Sequence, residues 1–329
     1  MLLRLFIRKQ QFIIILILIL ALAFWLPSIL NYKSSFFIFD FYPSPVYSPL
    51  QFIEYSFPRI TVIISFFLLV LSGFLLTRLN VRFFFIPTRT QLPAFFFILI
   101  CSSFIPLQRL NPVLISVIFL IMAVFKIFDT YKKERLCYNF FDAALLISAG
   151  SLFYFNLIFL IVVIWIGLII LRPFIWREWI FTIIGLLVPY IILFFYYYMM
   201  DLDIKSLLGT YKSYFLYKSY DINFDLSYKL LAVYYLLMLI ISSIYMIAVY
   251  PVKKIYARKY FMFFLWLFIV AIIIYFFIPS AGYEMIIIAS LSISFLLAHF
   301  FVNVKPNWIN SSLFDMFFAL LIYLRIVSL

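Results

Sequence analysis

The amino-acid sequence predicts an all-α fold, a polytopic helical membrane protein with about 11 transmembrane helices and a range of about 10–12. Hydrophobic residues make up 68% of the 329 positions and charged residues only 11%, against roughly 45–50% and about 25% in soluble domains. A soluble protein of this size could not cover its surface with so few polar side chains. In addition, charges cluster at the ends of apolar stretches about 20 residues long, and such a stretch crosses a hydrocarbon core of about 30 Å.

The first apolar run fixes the predicted position of the N-terminus. It follows Arg4, Arg8 and Lys9 and gives a first span at about 11–30. The small-residue triplet at 21–23 resembles a signal-peptidase site, but the run stays apolar beyond it, where a cleaved signal would turn polar. We therefore predict an uncleaved first span with the N-terminus in the cytoplasm.

Charged residues and prolines mark the ends of the other spans. The second lies between Arg59 and Arg78, and a turn between Pro106 and Pro112 divides the next apolar stretch into two short spans. The spans predicted after the second are about 92–107, 112–126, 138–154, 157–171, 179–200, 230–250, 260–279, 284–303 and 312–328. The last one is predicted either to cross the membrane or to lie along its interface.

The stretch 138–171 is divided by an argument from sidedness. Its only charge is Asp142, so one long helix and a hairpin both fit its length. Basic residues lie before it, at 132–135, and after it, from Arg172 onward, and basic residues favour the cytoplasmic side. Because two crossings keep both groups inside, we predict a break near Asn156.

The distribution of charge argues against a nucleic-acid partner and for a membrane orientation. The net charge is +13, but the basic residues lie in short runs between apolar stretches, as the positive-inside rule requires. With the N-terminus inside, 17 of the 25 Lys and Arg residues fall in inner segments. The chain is therefore predicted to be a single integral-membrane bundle over 1–329, with outer loops at about 31–58 and 201–229.

Composition also excludes several kinds of chemistry. The chain has 6 Gly and no Gly-rich phosphate loop, so we do not expect it to hydrolyse a nucleotide. Cys101 and Cys137 are too few for a disulfide framework or a structural zinc site and are interpreted as packing residues. Because His299 is the single histidine, an all-histidine metal centre cannot form within one chain. No metal site is predicted, and the cofactor is unknown.

Acidic residues near the outer side are the candidate functional groups. Long outer loops over a helical bundle are natural places for a site, and the first of them carries Asp40 and Glu54. Both are candidate catalytic residues, because a carboxylate can take a proton from a hydroxyl or bind a hard cation. A solvated carboxylate pair is the alternative. Glu284 begins a span, where it either caps the helix or faces a substrate.

Three short segments carry a resemblance: SLFYFN at 151–156, RPFIWREW at 172–179 and GLLVPY at 185–190. They resemble an uncharacterised family of polytopic inner-membrane proteins of Bacteroidota, which implies a bacterial cytoplasmic membrane and no established activity. Members are sometimes labelled carotene oxygenases, but such an iron site needs several histidines. Arg172 and Arg177 of the second segment either anchor at lipid phosphates or bind a polyprenyl phosphate or a partner subunit.

The chain is also similar to the C-type glycosyltransferases, which use lipid-phosphate sugar donors. The likeness lies in the number of spans and in an acid within the first outer loop. It implies that Asp40 takes the position of their catalytic acid. The adjacent acidic pair that is frequent in that family is missing, because Phe39 and Phe41 flank Asp40.

Two hypotheses of function follow, with a third behind them. The first is a glycosyltransferase-like enzyme that acts at the outer face on a polyprenyl-phosphate-linked substrate. The second is a non-catalytic subunit or scaffold of a cell-envelope assembly, whose partners are other envelope protein subunits. The third is a transporter or lipid flippase, which usually needs membrane-buried acids and helices broken at Gly. All three have membrane lipids as partners.

Overall fold

A computed structural model describes residues 10–31, 37–86, 88, 90–131, 137–217, 226–249, 253–304 and 308–328. Eight basic residues that the charge argument places inside fall outside this part of the chain: Arg4, Arg8, Lys9, Arg89, Lys132, Lys133, Arg135 and Lys305. The stretch 218–225 of the second predicted outer loop also falls outside it. Within the described residues the secondary structure is entirely helical.

The described helices occur in this order along the chain: α1 (Gln10–Leu30), α2 (Ile38–Phe41), α3 (Ser48–Ser56), α4 (Pro58–Phe83), α5 (Leu92–Ser103), α6 (Pro112–Asp129), α7 (Cys137–Ser151), α8 (Ile161–Leu171), α9 (Trp176–Met199), α10 (Ile204–Leu216), α11 (Leu226–Val249), α12 (Ile255–Phe277), α13 (Met285–Asn303) and α14 (Trp308–Ser328). Each predicted span has a helix, and three further helices lie in the predicted outer loops. The prediction of an all-α fold is therefore confirmed.

Seven of the described helices are long and apolar enough to cross a membrane: α1, α4, α6, α9, α11, α12 and α13. The other four predicted spans correspond to α5, α7, α8 and α14. Three of these are short, and α14 is 21 residues long but carries Asp315 and Arg325. Length and composition thus single out seven helices rather than eleven.

The short helix α5 lies at the centre of the bundle. It has 12 residues, all of them buried, and at 1.5 Å per residue it is only about 18 Å long. A proline near its start and a 3₁₀ turn over Ile105–Leu107 limit its length. Because its neighbours α4 and α13 surround it, its ends are covered by protein, where a helix shorter than a bilayer is tolerated.

The predicted break near Asn156 is confirmed. Helix α7 ends at Ser151, a 3₁₀ turn covers Phe155–Leu160, and α8 begins at Ile161. Gly150 allows this turn to pack closely, since a Cβ atom there would lie 2.5 Å from the side chain of Leu157. The two halves of the stretch are therefore separate helices.

The predicted outer segments meet at one end of the bundle, which we call the site face. It consists of residues 37–57, 104–111, 152–156 and 278–284, together with α10. Side-chain contacts connect these segments, for example from Arg109 to Asp40, from Tyr154 to Glu284 and from Tyr214 to the Tyr42 carbonyl oxygen. At the opposite face, ion pairs join Arg82 with Asp129 and Lys126 with Asp142. The tertiary structure thus separates the predicted outer segments from most of the described basic residues.

Candidate functional site

Arg109 is the centre of a buried ionic cluster at the site face. It lies between the 3₁₀ turn and α6, whose first turn is capped by the Asn111 side chain. Its Nη1 and Nη2 atoms donate to the two carboxylate oxygens of Asp40, each at 2.8 Å, and its Nε donates to Glu54 Oε1 at 2.7 Å. The three side chains are only 5%, 3% and 2% exposed. We call these residues the Arg109 cluster.

Local structure holds Asp40 in place. The residue lies in the short helix α2, and its Oδ2 accepts a hydrogen bond from the Phe37 N–H at 2.9 Å. Gln51 of α3 donates to the Asp40 carbonyl oxygen at 2.7 Å. The Arg109 guanidinium also lies 5.7 Å and 5.8 Å from the ring centres of Phe37 and Phe39, within the range of cation–π attraction.

Tyr47 completes the cluster on the side of Glu54. Its hydroxyl lies 3.3 Å from Glu54 Oε2 and 3.1 Å from the Leu110 carbonyl oxygen, so its proton has two acceptors. Burial, followed by the negative charge of Glu54, raises the pKa of Tyr47 well above its ordinary value. Burial lowers the pKa of Arg109, but Glu54 and Asp40 more than offset this and raise it above its ordinary value. The guanidinium therefore stays charged.

This geometry favours a structural role for Asp40 and Glu54. Both carboxylates are engaged by one buried cation, and removing one member of such a group leaves an uncompensated buried charge. Their catalytic role stays a prediction from the sequence.

A second polar group surrounds Glu284, just before α13. Glu284 Oε1 accepts from the Tyr154 hydroxyl at 3.0 Å and from the Gly282 N–H at 2.9 Å. Asn156 donates to the Tyr154 hydroxyl at 3.1 Å and accepts from the Ser280 hydroxyl at 2.8 Å. We call these four side chains, Tyr154, Asn156, Ser280 and Glu284, the Glu284 chain.

The Glu284 chain contains no cation. None of the described ion pairs includes Glu284, although its residue is only 1% exposed. Burial raises the pKa of Glu284, the hydrogen bonds from Gly282 and Tyr154 oppose that shift, and the nearby charge of Asp40 adds to it. Among the predicted site residues, Glu284 is therefore the acid whose ionisation the structure disfavours.

An apolar groove of about 310 Å³ lies between α11, α12 and α13, at their site-face ends. Its volume is at the lower end of the range for ligand pockets. Among the described residues that line it, Lys229 is the only charged one, and Tyr228, Tyr275 and Tyr283 supply the hydroxyl groups. The groove is therefore suited to a hydrocarbon chain with a polar group at one end.

Tyr283 places the groove beside the ionic cluster. Its ring lines the groove and lies 4.9 Å from the ring of Phe37, which in turn contacts the Arg109 guanidinium. Glu284 is the next residue along the chain. The rings of Tyr283 and Phe37 therefore lie between the groove and the Arg109 cluster, and Glu284 is adjacent in sequence to the groove lining.

Arg172 and Arg177 lie away from these groups, at the opposite face. Arg172 Nη1 is 2.7 Å from Glu178 Oε1, and the two side chains are 7% and 1% exposed. Arg177 lies over the ring of Trp176 at 6.0 Å. The structure therefore brings together Asp40, Glu54 and Glu284 at one face and leaves the two arginines at the other.

Sequence reasoning missed the partners that define the site. Arg109 lies in the turn predicted between Pro106 and Pro112, and the sequence indicated no partner for it, although a lone charge in 36 largely apolar residues signals a need for a buried counter-ion. Tyr154, Asn156 and Ser280 carried no signal of that kind. Within the described residues, no group of three His, Cys, Asp or Glu side chains is arranged to hold a metal ion.

No family model, curated protein or solved structure matches the chain. The candidate site is therefore interpreted from its own geometry.

Proposed function

We propose that this protein is a multi-pass protein of the bacterial cytoplasmic membrane that binds a lipid-linked phosphate at its outer face and acts on it as a transferase. The observation that carries the proposal is the apolar groove, which ends beside Lys229 and beside the buried acids of the site face. The proposed topology has eleven crossings with the N-terminus inside. The membrane location draws on the resemblance to inner-membrane proteins of Bacteroidota.

The charges at the two ends of the bundle support this topology. Successive helices run between the faces, so the short α5, α7 and α8 complete crossings together with the turns that extend them. Nine described basic residues lie at or near the helix ends of the opposite face: Arg78, Arg82, Lys126, Arg172, Arg177, Lys253, Lys254, Arg258 and Lys259. Positive charge concentrates on the cytoplasmic side of membrane proteins. The site face then points outward.

The apolar part of the groove fits a hydrocarbon chain. Its lining on α11 extends from Tyr228 to Leu236, which is about 12 Å at 1.5 Å per residue. This covers less than half of a core of about 30 Å. Leu236 and Tyr275 are exposed at its rim, so a chain can enter sideways from the surrounding lipid.

The charged end of the groove fits a phosphate. Lys229 lies in the first turn of α11, where the helix dipole also favours an anion. Arg325 of α14 lies near Tyr228, which lines the groove. Two cations beside an apolar groove are complementary to an amphiphile with an anionic head group, and a polyprenyl phosphate has this chemistry.

The roles of the acids in this proposal follow from their partners. Asp40 and Glu54 hold Arg109 and thereby fix the loop 37–57 against α6. Glu284 is the acid nearest in sequence to the groove lining and has no cation to keep it ionised. If transfer chemistry takes place at this face, Glu284 is protonated at the start, so it is suited to donate a proton and not to accept one.

Filling the groove tests the proposal. Ala289 lines it on α13 and is half-buried, so Ala289→Trp would occupy the space of the chain. Leu187→Trp is the matched control, because Leu187 is 48% exposed on α9, away from the groove. Native mass spectrometry of the detergent-solubilised protein would measure bound polyprenyl phosphate, with the polyprenol of equal chain length as reference.

We expect the wild type and Leu187→Trp to retain polyprenyl phosphate in preference to polyprenol, and Ala289→Trp to lose both. Lys229→Gln should reduce the preference for phosphate by about 10- to 150-fold, since a charge-assisted hydrogen bond contributes roughly 1.5–3 kcal/mol, and should leave polyprenol binding unchanged. Equal binding by Ala289→Trp and the wild type would reject the groove as the site. Stoichiometric protein partners without lipid binding would favour the scaffold hypothesis.

A further inference from the structure

Glu284 differs from the other buried acids of the described chain in its partners. Asp40 and Glu54 pair with Arg109, and Glu178 pairs with Arg172. Glu284 is as buried as these residues, but its described side-chain partners are the Tyr154 hydroxyl and the Gly282 N–H, which are neutral. Burying a carboxylate without a cation is costly, and such a group tends to take up a proton instead.

The donors around the two acids also differ in charge. Asp40 receives charged donors on both oxygens, from Arg109 Nη2 on Oδ1 and from Arg109 Nη1 on Oδ2, together with the Phe37 N–H on Oδ2. Glu284 Oε1 accepts from the Tyr154 hydroxyl and the Gly282 N–H, and the backbone N–H of Glu284 itself also interacts with the carboxyl group. All three donors are neutral, so none of the described hydrogen bonds to Glu284 supplies the positive charge that would offset the burial of a carboxylate.

We propose that Glu284 is a proton-exchange site, which holds a proton on its carboxyl group in the described form and releases it during the working cycle of the protein. On release, the carboxyl O–H bond breaks, the electron pair stays on the carboxylate, and the proton passes to water at the site face. The Tyr154 hydroxyl and the Gly282 N–H are in place to stabilise the carboxylate that forms. Asn156 donates to the Tyr154 hydroxyl, and Ser280 donates to the Asn156 side-chain oxygen, so these two residues hold Tyr154 in that orientation.

The groups around Glu284 determine whether its ionisation strengthens or weakens the binding of an anion in the groove. The titratable and charged groups around it are Asp40 of α2, Tyr154 after α7, Tyr214 of α10 and Tyr283, and the charge of Arg109 acts on Tyr283. Tyr283 is adjacent in sequence and lines the groove. An anionic head group there and an ionised Glu284 would repel each other, so anion binding favours the protonated acid. This coupling rests on the proposed function, whereas the proton on Glu284 does not.

Infrared difference spectroscopy of the purified full-length protein tests the proton directly. At neutral pH the wild type should show a carboxylic-acid C=O band that Glu284→Gln lacks. Glu54→Gln is the matched control, because Glu54 is equally buried but paired with Arg109, and it should keep the band. Tyr154→Phe should preserve the band to higher pH, since it removes a donor that stabilises the carboxylate. Identical spectra for the wild type and Glu284→Gln would overturn the proposal.

The coupling is tested separately by the pH dependence of polyprenyl phosphate binding. In the wild type the affinity should fall as Glu284 ionises, by at most about tenfold per pH unit for one linked proton, and in Glu284→Gln this fall should be absent. If neither protein binds the lipid while the infrared band behaves as expected, the proposed function fails and the proton site stands. If the wild type binds with the same pH dependence as Glu284→Gln, the coupling is wrong.

Discussion

The Arg109 cluster and the Glu284 chain lie on the same face and have similar burial, and members of both lie close enough to Tyr283 to influence its pKa. They differ in how the acid is compensated. Asp40 and Glu54 share a guanidinium, whose charge-assisted hydrogen bonds are 2.7–2.8 Å long. Glu284 has neutral donors only. The comparison shows that burial alone does not decide the state of an acid in this bundle; the nature of its partner does.

This difference has consequences for the two regions. The ion pairs of Arg109 with Asp40 and Glu54 fix the positions of these side chains, so the Arg109 cluster holds α2, α3 and the start of α6 together. An acid held by neutral donors can change its charge at moderate cost. The first arrangement suits a structural joint, and the second suits a group that exchanges protons beside a ligand groove.

Replacement of Arg109 should give the largest effect. Arg109→Met leaves Asp40 and Glu54 buried without a cation and should reduce the free energy of unfolding by about 3–5 kcal/mol. Arg82→Met is the control, because the Arg82–Asp129 pair is partly exposed, with Arg82 at 52%, and such pairs contribute about 0–1 kcal/mol. Thermal unfolding in detergent would measure both. Equal losses of stability would contradict the structural role of the cluster.

Asp40→Asn should reduce the free energy of unfolding less than Arg109→Met does, because Arg109 still pairs with Glu54. We expect a loss of roughly 1.5–3 kcal/mol, the range for hydrogen bonds to a charged group, with Glu54→Gln as the matched variant. Complementation of a deletion strain, measured together with melting temperatures, separates a structural role of Asp40 from a catalytic one. A structural residue loses function only as far as it loses stability. An Asp40→Asn protein with wild-type stability and no function would restore Asp40 as a catalytic candidate.

Of the three variants, Glu284→Gln should change the free energy of unfolding least at acidic pH, and its effect should grow as the pH rises. Folding raises the pKa of Glu284. Its contribution to stability is therefore fully present at a pH below its pKa in the unfolded chain, and it is lost as the pH rises through its pKa in the folded protein. The loss is about 1.4 kcal/mol for each unit that separates the two values. The melting temperature of the wild type should therefore fall across this window while that of Glu284→Gln does not. Parallel curves would show that Glu284 is ionised throughout.

The sequence by itself determined the helices, and it predicts the side of the membrane on which each connecting segment lies. Whether a segment enters lipid depends on its own hydropathy, and the distribution of Lys and Arg is also local, so both can be read without the fold. For this reason the break near Asn156 could be predicted from two basic runs. The same local reasoning identified Glu284 as a residue at the start of a helix, which the structure places just before α13.

Only the tertiary structure decided which polar groups meet. Arg109 pairs with Asp40 and Glu54, which are 69 and 55 residues away, and no local pattern specifies such a pairing. Likewise, the largely apolar sequence of α5 gives the hydropathy of a span, but only packing shows that this 12-residue helix is a short central one. The groove is lined by residues of three different helices. These features depend on how the helices pack, since a buried charge or a cavity is a property of several segments at once.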